Sequence, residues 1–181
     1  MITEQTIIDE EKLFQDITFR INYLSERSID YSTRKIKDEK VYGEYKKAVE
    51  EFHQKAGICE YFNIENAFDK IKKGDHAWIS QAILYLEVDP FYFRSGYFKE
   101  KILDTLKSAP LNIEEKSRIQ KMLIGIIKKC FRREMKYYGK LAKTVADDSF
   151  RDKLLFLKEN EESSSEVKTR AEYILQFISK P

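Results

Sequence analysis

Apolar residues recur every three or four positions along most of this chain, a spacing that gathers them on one side of successive helices. Leu13, Phe14, Ile17, Ile21 and Leu24 form the first stripe. It predicts a helix that begins near Thr6, whose hydroxyl would cap it, and that frays by Ser28. The polar run from Ser28 to Lys40 reads as a connection. From about Asp38 a second helix carries Val41, Tyr42, Tyr45, Val49, Phe52 and Ala56, and Gly57 stands where a glycine would let the chain turn left-handed. Ile64, Ala67, Phe68 and Ile71 predict a short third helix that stops at Gly74. Asp75 reads as the N-cap of the next, which holds Trp78, Ile79, Ala82, Ile83 and Leu86 on one face.

The passage YLEVDPFYFRSGYFKEKIL, from Tyr85 to Leu103, crowds six aromatics around an Asp-Pro pair, an Arg and a Ser-Gly pair. Asp89 and Pro90 together read as a helix start: an acceptor side chain, then the residue whose missing N–H does no harm in a first turn. On that reading Phe91, Tyr92 and Phe93 make one short turn that plugs the core. Ser95 or Gly96 then caps a helix with Tyr97, Phe98, Ile102, Leu103 and Leu106 inside. The passage is thus expected to be a structural corner. Arg94 is left over; it either pairs with a carboxylate, caps a helix C-terminus or meets a partner.

Further on, Asn112 and Glu115 have the spacing of a capping box before Ile113, Ile119, Leu123, Ile126 and Ile127. A further helix is expected from near Phe131, with Met135, Tyr138, Leu141, Ala142 and Val145. The run DDSF, Asp147 to Phe150, opens another with Leu154, Leu155 and Leu157. Ser163 and Glu166 fit a capping box for the last helix. About nine helices follow, with no alternating run that demands a strand. The expected fold is one all-α domain over residues 1–181, with N-terminal helices over 1–62 and stacked antiparallel helical hairpins over 63–181, or else an irregular helical bundle. From Asn63 to Pro181 this layout resembles HEAT-like α-solenoid proteins, a resemblance that implies stacked hairpins. The stretch from Ala77 to Leu103 is similar to the helix–corner–helix unit of small bacterial helical proteins.

Charge changes the picture little as a total. Thirty-three Lys and Arg against 31 Asp and Glu leave +2, so no global field points to nucleic acid or membrane. The charged share of 35% and the few glycines suit helices with heavily solvated faces. Acids near the N-terminus do not fit a signal peptide, and apolar clusters such as Met122 to Ile127 are too short for a membrane span, so the expected setting is cytoplasmic. Cys59 and Cys130 read as small buried hydrophobes rather than a redox pair.

No catalytic constellation stands out, and no catalytic residue, metal ligand or cofactor is expected. His53 reads as solvent-facing and His76 as a helix-start residue, and neither has a second His at ligand spacing. No nucleophile elbow, Walker-type loop or dinucleotide glycine pattern occurs. Trp78 reads as core.

Divided along the chain, charge becomes informative. Residues 1–75 hold 13 basic and 16 acidic residues, and the remainder holds 20 and 15. The excess gathers in KKCFRREMKYYGKLAK, Lys128 to Lys143. Read as one continuous helix, it places Lys129, Arg132, Arg133, Lys136, Lys140 and Lys143 on one side and apolar residues opposite. Acids cluster shortly after, from Asp147 to Glu166, able to neutralise this stripe or to face a basic partner. The function expected on these grounds is a non-enzymatic protein-binding module with one macromolecular partner. The favoured form is a small bacterial inhibitor of immunity type that blocks a cognate toxin. Lys129, Arg133, Lys136, Lys140, Lys143 and Arg94 are the expected contacts. A helical-repeat nucleic-acid binder using the basic face, or an enzyme whose residues meet only in the fold, are the alternatives.

Overall fold

A computed structural model of the chain describes residues 1–55, 57–129 and 133–179. Among these the protein is 76% helical, as ten helices and one minimal strand pair. The order is α1 (Glu4–Ser28), β1 (Ile29–Asp30), β2 (Lys35–Ile36), α2 (Glu39–Gln54), α3 (Ile58–Ile64), α4 (Ala67–Lys72), α5 (His76–Val88), α6 (Ser95–Leu106), α7 (Ile113–Lys129), α8 (Met135–Val145), α9 (Asp148–Glu159) and α10 (Ser165–Ile178). The all-α expectation is met.

Helix starts follow the capping chemistry, sometimes one to three residues from the expected position. Thr3, rather than Thr6, caps α1, and Thr6 is its reciprocal partner in a capping box. Asp38 and Asp75 accept the first free amides of α2 and α5. Asn112 and Glu115 satisfy each other's amides at 2.9 and 2.8 Å before α7. Asp147 caps α9. Ser164, not Ser163, caps α10.

Three expectations are overturned, and one connection proves more ordered than expected. Gly57 has an extended backbone (φ −123°) and precedes α3 instead of ending α2 left-handed. The third helix is two, because Asn66 adopts φ 51° between α3 and α4 and breaks the hydrogen-bond ladder, which leaves Ile64 exposed. The connection after Ser28 contains an antiparallel pair, Ile29 opposite Ile36 and Asp30 opposite Lys35, closed by a turn in which the Asp30 carboxylate accepts from Ser32. Finally, Asp89 ends a helix instead of starting one. It is the C-cap of α5 at φ 58°, a left-handed conformation that Asp tolerates and that the following proline helps impose by disfavouring α-helix before it.

One apolar core runs from Ile7 in α1 to Leu175 in α10. Trp78 lies in it, as expected. Helices α5, α6, α7 and α8 form its centre, with α5 against α6 and α7, and α8 against α6 and α7. Helix α10 packs on α7, α8 and α9. Gly139 makes the α8–α10 approach possible: a Cβ there would sit 2.4 Å from the Phe177 ring. A smaller cluster, Phe14, Ile17 and Phe52, holds α2 against α1. Helix α1 also packs on α5, so it belongs to both.

Candidate functional site

The seam between the two apolar clusters is a groove of about 1070 Å³. Phe14, Phe52 and Phe98 line it, and the segment from Tyr92 to Tyr97 contributes Tyr92, Phe93, Arg94 and Tyr97 as its lip. The floor is polar and closed. Glu10 of α1 accepts a hydrogen bond from the Tyr92 hydroxyl and another, at 2.7 Å, from the Ile58 amide at the first turn of α3. Tyr85, fully buried in α5, lies 2.9 Å from the Tyr92 oxygen. Since Tyr92 gives its hydrogen to Glu10, Tyr85 donates to Tyr92. Burial pushes the Glu10 carboxyl above its ordinary value, against the lowering effect of its two hydrogen bonds. Burial also pushes both tyrosines well up, Tyr92 further by the adjoining Glu10 carboxylate.

The lip is pinned to α1 by backbone as well as side chains. The Phe91 amide donates to Glu11 at 2.9 Å, and Gln15 donates to the Phe91 carbonyl at 2.8 Å. Tyr92 stacks on Phe14, rings 5.0 Å apart and 11° from parallel. Ser95 closes the turn by accepting from the Tyr92 amide and donating to the Tyr92 carbonyl. Arg94 takes φ 77° and precedes α6. Its guanidinium lies 5.6 Å from the centres of both Phe52 and Phe93.

The corner reading of this segment is corrected in one respect. The segment is a corner, but Phe91, Phe93 and Tyr97 do not plug the core; they are 69%, 60% and 60% exposed. The polar clamps turn Tyr92 inward and leave its neighbours outward. Arg94 neither pairs with a carboxylate among the described residues nor caps a helix C-terminus; it lies on aromatic faces at the groove edge. Lys55 and Lys101 also line the groove. Lys101 donates to Asn63 at 2.9 Å and sits 4.0 Å above the Phe68 ring.

The expected basic stripe is not one surface. Lys129 closes α7, Arg133 lies in the turn before α8, and only Lys136, Lys140 and Lys143 belong to α8 itself. Arg132 and Cys130 lie outside the described residues, as does the expected helix start at Phe131. Lys129 is 3.5 Å from Asp89, which also takes a 2.6 Å ion pair from the fully buried Lys99. Arg133 pairs with Glu100 at 2.9 Å and lies 3.7 Å over the Tyr97 ring. Those two cations serve the corner between α5, α6 and α7. Lys136 and Lys143 are exposed, and Lys140 is half-buried against Tyr137.

No three His, Cys, Asp or Glu side chains converge as a metal site among the described residues. His53 is exposed with its ring against the Phe52 edge, and His76 is exposed at the start of α5, 2.9 Å from Glu115. Cys59 is half-buried in the groove rather than in the core, with a free thiol. Burial pushes that thiol up, Lys101 opposing and Glu10 adding, so the thiolate needed of a nucleophile is disfavoured. Among the described residues no helix is long and apolar enough to cross a membrane. No family model matches the chain, and no curated protein or solved structure matches it either.

Sequence reasoning singled out Arg94 and missed the rest of this site. Glu10, Phe14, Phe52 and Tyr92 come from segments up to 82 positions apart. The signal within reach was local: alternation of Phe91, Tyr92 and Phe93 cannot bury all three rings.

Proposed function

We propose that the protein is a non-enzymatic binding module that engages one protein partner through the corner surface formed by Phe91, Phe93, Arg94 and Tyr97 beside the groove. The observation that carries this reading is the exposure of three large aromatics within seven residues, on a segment held by side-chain and backbone clamps. Exposed apolar patches on a fixed frame are what partner surfaces present, and aromatic and Arg side chains supply most of the energy of such contacts. The raised Cys59 thiol and the internally paired Glu10 support binding over chemistry. A compact inhibitor that covers a toxin's active site, the immunity type, is the form we favour, since such a surface acts by occlusion and needs no turnover.

The test is affinity capture from the source cell with the wild type and with Phe93→Ala/Tyr97→Ala. The expected result is a stoichiometric protein partner present with the first and absent with the second, while the variant stays folded and loses no more than about 2 kcal/mol of stability. A partner retained equally by the variant, or no stoichiometric partner, overturns the proposal.

A further inference from the structure

The charge around the groove says what kind of partner segment fits it. Lys55, Arg94 and Lys101 stand at its rim, all exposed, and none forms an ion pair among the described residues. Their contacts are neutral: Arg94 on two Phe rings, Lys101 on Asn63 and a Phe ring. Cations without an ion pair are common among the described residues; these three are set apart by sharing one groove lined with aromatic rings. The acids at the groove do not neutralise the rim. Glu10 lies at the floor, bonded to Tyr92 and Ile58. Glu60 is the other carboxylate of the lining, against three cations. The lining also carries the rings of Phe14, Phe52, Phe93 and Phe98.

We infer that the groove takes an acidic segment of a partner protein, one large apolar side chain seated against its aromatic lining with carboxylates on either side meeting Arg94, Lys101 and Lys55. Two arguments converge. Of the rings lining the groove, Phe93 and Tyr97 are exposed and stay wetted until an apolar anchor displaces water, and anchors of that kind carry interface energy. The rim cations are desolvated only when the groove fills, so a neutral or basic occupant leaves them buried without partners while an acidic one satisfies them. Arg94 is the best placed of the three, because its guanidinium already lies 5.6 Å from the ring centres of both Phe52 and Phe93 and forms no ion pair among the described residues. A small amphipathic carboxylate would meet the same walls. The outward rings of Phe91, Phe93 and Tyr97 favour a macromolecule, since a small ligand enclosed in the groove leaves them in water.

This inference rests on the protein-binding reading and is tested apart from it. A library of random twelve-residue peptides displayed on phage is panned against the full chain at low salt, and the winners are titrated as fluorescein-labelled peptides by polarisation. The expected winners carry Phe, Leu, Ile or Trp between Asp or Glu residues. Their affinity should fall at least tenfold when the anchor becomes Ala. It should fall as much on Arg94→Glu/Lys101→Glu, stay unchanged on Lys136→Glu/Lys140→Glu, and weaken with salt. No enrichment, enrichment of basic or uncharged peptides, or winners indifferent to Arg94→Glu/Lys101→Glu overturn it. So does sodium oleate saturating the groove where no peptide is enriched. A captured protein partner that ignores the groove variants but is lost with Phe93→Ala/Tyr97→Ala sinks this inference and leaves the binding function standing.

Discussion

Tyr92 donates its hydroxyl hydrogen to Glu10, 82 positions earlier in the chain, and receives one from Tyr85. That relay joins α1, α5 and the segment before α6, and Glu10 adds the first turn of α3 by accepting from Ile58. Four pieces of backbone are thereby fixed around the floor of the groove.

Tyr92→Phe removes the donor and leaves two polar groups, the Glu10 carboxylate and the Tyr85 hydroxyl, short of a partner in a partly buried place. The expected loss is about 1–3 kcal/mol, larger than for the same change at an exposed tyrosine. Urea unfolding of Tyr92→Phe beside Tyr23→Phe measures the difference. Equal midpoints would show that the relay contributes nothing.

Glu10 also predicts a pH dependence. Its folded-state pKa is raised above the ordinary 4.5 by burial. The folded state therefore holds this proton more firmly than the unfolded chain. The resulting stability is fully present below about 4.5 and is lost as pH rises through the raised value. Glu10→Gln removes the titration while keeping the shape and acceptor oxygen. The stability of wild type relative to Glu10→Gln should thus decline from pH 4 upward and level off once Glu10 is ionised. A difference that stays flat or grows with pH sinks the assignment.

Much of this architecture is legible in sequence wherever the cause is local. The Asn112–Glu115 box, the Asp75 cap and the stripe of Ile119, Leu123, Ile126 and Ile127 each follow from spacing alone. Asp89 shows why local rules also mislead. Asp before Pro suits a helix start and a left-handed helix end equally, and what decides is tertiary: Lys99, ten residues on, buries its ammonium against that carboxylate. The basic stripe fails for a related reason, since a wheel presumes one helix, and Lys129 and Arg133 lie outside α8. The groove was hidden because its walls are joined by contacts between distant segments.

The buried pair itself is testable. Lys99 and Asp89 are 0% and 1% exposed at the side chain, and their atoms are 2.6 Å apart. Lys99→Met strips the buried carboxylate of the cation paired with it at 2.6 Å, an expected loss of about 3–5 kcal/mol. Asp89→Asn together with Lys99→Met neutralises both and keeps a residue that accepts the left-handed turn, so it should recover a good part of that loss. Chemical denaturation of the three proteins gives the comparison. A double variant less stable than Lys99→Met contradicts the charge argument.

The lysines of α8 separate surface charge from the corner. Lys136 is exposed and Lys140 half-buried over Tyr137. Lys136→Glu with Lys140→Glu should leave stability within about 1 kcal/mol of wild type, as expected of surface charges. Partner association through the corner should be unaffected apart from a small salt-dependent change in rate. Loss of a nucleic acid in this variant, with affinity for unrelated sequences falling together, would instead assign α8 a binding role of its own.

Phe93 and Tyr97 give the sharpest contrast between structure and surface. A ring that fills the core costs about 3–5 kcal/mol when cut to Ala. These two rings are each 60% exposed, however, so most of that burial is absent. Phe93 keeps an edge contact with Phe52 and the Arg94 guanidinium, and Tyr97 keeps Arg133 above its face. Each Ala variant should therefore lose no more than about 1 kcal/mol, the scale of an exposed cation–π contact and a little apolar area. Thermal melts check the first half. The second half is binding: at an interface the same truncation removes an anchor, and a loss of about 2 kcal/mol or more in partner affinity is expected. Both measurements on one variant decide between the two roles, because a structural ring lowers the melt before it lowers the affinity. A Phe93→Ala protein that melts several degrees low and binds normally would return the segment to the core.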